Sequence, residues 1–149
     1  MKRATITEFI ALFFVILFLY TGISKLMDYL VFKEQIALSP LLAPVANWIA
    51  ILLPAVEILV AIVLFIPLTR LKGLYASGIL MVLFTGYIIY ILNFNPQLPC
   101  TCGGVLEALT WPQHLVFNVV CIALAITGIV LSRRVHIEIR RRKASLVQS

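Results

Sequence analysis

Cys100 and Cys102 are the residues of this chain best suited to chemistry. They stand in the run Cys100-Thr101-Cys102-Gly103-Gly104. Asn95-Pro96 and Leu98-Pro99 break any helix before them, and the glycines permit backbone angles closed to other residues. A disulfide closed across one intervening residue is a small, strained ring, and strained disulfides are oxidising and exchange-competent. The pair therefore reads as a thiol–disulfide exchange centre. The competing readings are a static disulfide that pins the loop, or two idle thiols.

Three further residues follow at helical spacing. His114, Asn118 and Cys121 recur at i, i+4 and i+7, which sets them on one face of a helix. A polar stripe in an apolar helix faces the bundle interior. His114 falls in the first turn, where it is placed to act as a base toward a loop thiol; a hydrogen bond to a lipid headgroup is the alternative. Cys121 lies about 12 Å along the helix from Gln113. It reads first as a small buried hydrophobe, and as a relay of oxidation from the loop second.

Glu57 is the one carboxylate deep within an apolar run, so it must be paired, hydrogen-bonded or protonated. Pro54 lies one turn earlier and frees the Ala50 carbonyl. Lys25 is the natural partner, with an offset of about 10 Å along the helices for two long side chains or a water to bridge. The two groups read equally as a latch between helices and as a proton-handling or quinone-headgroup site. Cys100, Cys102 and His114 also form a donor set suited to copper or zinc, but their spacing is undistinguished and no metal is expected.

The elements that must position these groups are membrane spans. The chain has 149 residues, 62% hydrophobic and 12% charged, against about 25% charged in soluble domains. Four apolar stretches, at about 9–26, 48–67, 74–92 and 113–131, each approach the ~20 residues that cross hydrocarbon. The expected fold is an all-α four-helix transmembrane bundle over 1–132, with a basic tail at 133–149. Lys2 and Arg3 precede the first stretch, but no small-residue cleavage pattern follows, so it reads as a span rather than a leader.

Placing both termini in the cytoplasm puts ten of the twelve basic residues inside and leaves only Lys25 and Lys33 outside. Trp48, Trp111, Tyr87 and Tyr90 then fall at outer boundaries, and the Cys100/Cys102 loop is extracytoplasmic, where disulfides persist. The net charge of +6 thus belongs to topology, and no nucleic-acid partner is expected. Residues 27–47 are longer than a hairpin needs and read equally as an interfacial piece or a simple loop. Thr110 and Gln113 form a capping box for the fourth span. Gly73, Ser77 and Gly78 suit close helix packing.

The chain resembles the MauE (methylamine utilisation) branch of the MauE/DoxX membrane proteins. The resemblance rests on Phe18-x-x-x-Gly22-x-x-Lys25-Leu26, on Pro54-x-x-Glu57, and on Cys100-x-Cys102 followed by Gly104, and it covers roughly residues 9–131. Many members carry Cys-Gly-Cys-Phe-Gly; here Thr101 replaces the middle Gly and Gly103 the Phe. The resemblance implies a bacterial cytoplasmic-membrane protein concerned with periplasmic disulfide formation, or with maturation of a disulfide-containing exported protein. For MauE itself the client is the small subunit of methylamine dehydrogenase. The implied partners are the lipid bilayer and a thioredoxin-like or disulfide-containing exported protein, with quinone as the implied electron acceptor. The DoxX side implies instead an accessory subunit associated with quinone-linked electron transfer.

Overall fold

The computed structural model describes residues 2–94, 96 and 109–147. Cys100 and Cys102, with the glycines beside them, lie outside the described residues. The elements run α1 (Lys2–Met27), α2 (Tyr29–Leu38), a 3-10 turn (Ala43–Val45), α3 (Ala46–Phe65), α4 (Arg70–Phe94) and α5 (Trp111–Val147). There is no strand among the described residues. Four helical segments, Lys2–Met27, Ala43–Phe65, Arg70–Phe94 and Trp111–Leu146, are long and apolar enough to cross a membrane. The chain is a multi-pass membrane protein.

The four long helices pack as a ring, each of α1 and α4 lying against both α3 and α5. Phe14 and Phe18 of α1 stack with ring centroids 5.9 Å apart and anchor a core shared with Leu64, Leu74, Cys121 and Ala125. Large apolar side chains on the outer faces, among them Phe9, Ile16, Leu59 and Phe65, are exposed. Such a surface suits lipid rather than water. Lipid tails are as apolar as leucine, so the helices gain little by hiding apolar faces from one another and depend on close approach and polar contacts instead.

Gly73 supplies one such approach. A Cβ there would stand 2.8 Å from Leu64 Cγ and 2.9 Å from the Leu64 backbone nitrogen, so α3 and α4 meet where Gly73 has no side chain. The neighbouring Ser77 hydroxyl donates to the Gly73 carbonyl at 2.8 Å and needs no partner from another helix. At Gly78 the nearest side chain is Ala125, at an ordinary 3.7 Å, so Gly78 is not part of the tight contact.

Residues 27–47 are not a simple loop. α2 buries Phe32 and Ile36, one turn apart, against Ala46 and Ala50 at the start of α3. At the far end of the chain, α5 passes the expected border at 132/133 without a break. No Gly or Pro interrupts residues 129–147, and Arg, Lys, Ala and Leu there are good helix formers. The basic tail is thus a helical extension of the last span. Arg3 reaches Glu138 at 2.9 Å and Arg70 reaches Glu8 at 3.5 Å, so the starts of α1 and α4 share an end of the bundle with the charged part of α5.

These packing differences predict opposite outcomes for two alanine substitutions. Gly73→Ala should lower stability by about 1–3 kcal/mol through overpacking. Gly86→Ala meets nothing within 4 Å and should leave stability unchanged or raise it by up to ~1 kcal/mol through helix propensity. Thermal unfolding of both variants in one detergent checks the contrast.

Candidate functional site

The polar groups of α1 gather on its inner face because Thr21 and Lys25 stand one turn apart there, with Gly22 between them. A Cβ at Gly22 would lie 3.1 Å from Ile58 Cγ1, 3.3 Å from the Pro54 carbonyl oxygen and 3.5 Å from Glu57 Cβ. α1 therefore rides close over α3 at the turn that carries Glu57. α3 continues helical through Pro54, and the carbonyl facing Gly22 is that of Pro54 itself.

That approach closes the offset between Lys25 and Glu57. Lys25 Nζ donates to Glu57 Oε1 at 2.6 Å, with the two side chains only 5% and 1% exposed. No bridging water is needed. Thr21, one turn before Lys25, is buried and lines the same cavity as the pair. The ammonium also lies 5.8 Å from the Phe32 ring centroid and 5.7 Å from that of Phe84, within the ~6 Å over which an aromatic face attracts a cation. Phe32 comes from α2 and Phe84 from α4, so rings from two further helices flank the ammonium.

α5 brings the remaining groups. The Thr110 backbone N–H donates to Gln113 Oε1 at 3.0 Å, and the His114 N–H donates to the Thr110 carbonyl at 2.9 Å. This start fixes the helix phase, and His114, Asn118 and Cys121 all turn inward, each at most 3% exposed. His114 and Asn118 line the same cavity as Lys25 and Glu57. Cys121 does not line it. It is a free thiol set in the apolar core with Phe14, Phe18 and Ala125, as a small hydrophobe would be.

The cavity has a volume of about 480 Å³. Its walls are mostly aliphatic and aromatic, with Phe18, Phe32, Phe84 and Trp111 among them and the polar groups of Thr21, Lys25, Glu57, His114 and Asn118 at intervals. Tyr87 and Trp111 border the cavity, a role beyond the interfacial one expected for them. Trp48 stays on the outer surface, 70% exposed. Two cavity residues carry buried polar atoms without a hydrogen-bond partner among the described residues: Glu57 Oε2 and Asn118 Nδ2.

The sequence reading missed Thr21, Phe32 and Phe84. Thr21 was detectable, since it precedes Lys25 by one helical turn. Phe32 and Phe84 reach Lys25 from separate helices, and no local pattern announces that meeting. α1 ends, α3 and α5 begin, and α4 ends around the cavity, so the chain between Phe94 and Trp111, which includes Cys100 and Cys102, departs from this end of the bundle. Among the described residues no cluster of three metal-ligating side chains occurs.

The family model described as "Methylamine utilisation protein MauE" matches residues 3–131. That range takes in the four spans and stops short of the basic extension of α5. No curated protein and no solved structure matches the chain.

The buried pair predicts a non-additive response. Lys25→Met or Glu57→Met alone strands the other charge in the bundle and should cost about 3–5 kcal/mol. The double variant strands none and should regain most of that loss. A double-mutant cycle by thermal unfolding in detergent measures the coupling.

Proposed function

We propose, from the premise that the chain belongs to the MauE family, that it supports extracytoplasmic thiol–disulfide redox chemistry or maturation of an exported disulfide-containing protein in a methylamine-utilisation setting. The observation that carries this reading is the convergence of Lys25, Glu57, His114 and Asn118 at the end of the bundle from which the segment holding Cys100 and Cys102 departs. Ten of the twelve basic residues belong to the opposite end or its helical extension. By the positive-inside rule that opposite end is cytoplasmic, which makes the cysteine end extracytoplasmic in a bacterial inner membrane.

Closure of a disulfide between Cys100 and Cys102 breaks two S–H bonds, forms one S–S bond and releases two electrons and two protons. The electrons pass toward membrane quinone, directly or through another protein. The reverse partner in exchange is a thioredoxin-like protein or an exported client, whose thiols are oxidised as the loop disulfide opens. In this reading His114 takes a proton from a loop thiol. Lys25 and Glu57 hold α1 to α3 and supply charged groups at the cavity for proton transfer.

A second reading is a non-catalytic accessory subunit with a static Cys100–Cys102 disulfide. What favours it is the closed geometry of the Lys25–Glu57 pair, which suits a latch as well as a proton site.

Two measurements separate the readings. In cells, Cys100→Ser or Cys102→Ser should trap a mixed disulfide with a partner through the remaining thiol. In redox titration the purified protein should poise among exchange-active disulfides, at about −120 to −230 mV. A couple that stays oxidised below about −300 mV, with no trapped partner, is the result the accessory reading requires.

A further inference from the structure

We propose that the cavity between α1, α3, α4 and α5 is a binding site for the ring of a membrane quinone or quinol, held between Asn118 and the Lys25–Glu57 pair. The inference deepens the redox reading above and rests on it for the identity of the electron acceptor, but its structural grounds are separate.

The first ground is the pair of orphaned polar atoms. Asn118 Nδ2 and Glu57 Oε2 are buried without partners among the described residues, in side chains 2% and 1% exposed, and both residues line the cavity. A buried polar group with no partner is costly, and native structures leave few of them. One of these atoms is a donor and the other an acceptor. A quinol satisfies both, since one hydroxyl oxygen accepts from Asn118 while the opposite hydroxyl donates to Glu57. In the quinone form one carbonyl oxygen accepts from Asn118. Lys25, beside Glu57, is a second donor for a carbonyl oxygen.

The second ground is the wall chemistry. At about 480 Å³ the cavity is within the range of small-molecule sites. Phe18, Phe32, Phe84 and Trp111 line it, and their faces suit a flat ring. The third ground is access. Leu52 and Val56 of α3 and Leu83 of α4 are cavity residues that are also exposed on the outer apolar surface. The cavity therefore communicates with the lipid-facing side, between the two helices that a ligand dissolved in hydrocarbon would meet. A water-soluble ligand would gain nothing from that entrance. An acyl chain would fill the walls but leave both orphaned atoms unpaired.

Tryptophan emission tests this directly, because the chain holds two tryptophans, Trp111 in the cavity wall and Trp48 on the outer surface. The protein is placed in quinone-free phosphatidylcholine nanodiscs as the Trp48→Phe variant, which reports from Trp111, and as the Trp111→Phe variant, which reports from Trp48. Both carry Cys100→Ser and Cys102→Ser, so the titration reads the cavity whatever the thiols do. Decylubiquinone should quench Trp111 saturably, and Trp48 only weakly and linearly. Adding Asn118→Leu should weaken the saturable phase about tenfold, one hydrogen bond's worth or about 1.4 kcal/mol, without lowering the unfolding temperature.

Equal, non-saturating quenching of both tryptophans would overturn the proposal. So would competition by decylbenzene as strong as by decylubiquinone, which would assign the cavity to an acyl chain. An unchanged midpoint in Asn118→Leu would do the same. Failure of the thiol reading shows instead as the absence of a trapped mixed disulfide, and leaves the quenching result intact.

Discussion

The ion pair between Lys25 and Glu57 is the constraint on which the rest of the arrangement depends. Two charges in the interior of an apolar bundle are tolerable only in contact and shielded from lipid. Contact requires α1 to approach α3 within the reach of a glycine, and Gly22 provides that approach. Shielding requires a cover at the end of α1, which α2 supplies through Phe32, and a wall from α4, which Phe84 supplies. Each of these helices is therefore placed by a demand that originates in one 2.6 Å contact.

The cavity is a by-product of the same demand. A lysine and a glutamate joined across two helices leave a space that short side chains do not fill, and α5 borders it with His114 and Asn118 rather than with leucines. Two of its polar atoms lack partners among the described residues. A leucine at Asn118 would remove one of those penalties, so the native residue sacrifices stability at that position. Such sacrifices are characteristic of functional surfaces. The contrast with Cys121, one turn deeper, is informative. There the helix returns to ordinary packing, and the thiol behaves as part of the core.

Much of this was legible in the sequence. Hydropathy located four spans, and the i, i+4, i+7 rhythm put His114, Asn118 and Cys121 on the inner face where the structure has them. Lys25 and Glu57 could be paired because each was a charge with no neighbour of opposite sign in its own span. The motif Phe18-x-x-x-Gly22-x-x-Lys25 acquires a physical meaning: Phe18 fills the core, Gly22 admits α3, and Lys25 meets Glu57. What escaped were features decided by tertiary geometry. The helical fold of residues 29–38 depends on Phe32 and Ile36 finding Ala46 and Ala50, which their own weak amphipathicity does not announce. The aromatic enclosure of Lys25 combines three helices. The unbroken run of α5 was hidden because a change from apolar to basic composition looks like a boundary, although helix propensity is indifferent to it.

That unbroken run has a mechanical consequence. α5 holds 37 residues and extends about 55 Å at 1.5 Å per residue, nearly twice the ~30 Å of hydrocarbon. His114 and Asn118 occupy one end of this rod, and Arg140, Arg141, Arg142 and Lys143 the other. The helix is one continuous element, so the position of one end constrains the position of the other. The Arg3–Glu138 contact is a mooring close to where the rod leaves the bundle. The cavity wall at His114 and Asn118 and the basic arm beyond that contact thus belong to one continuous helix.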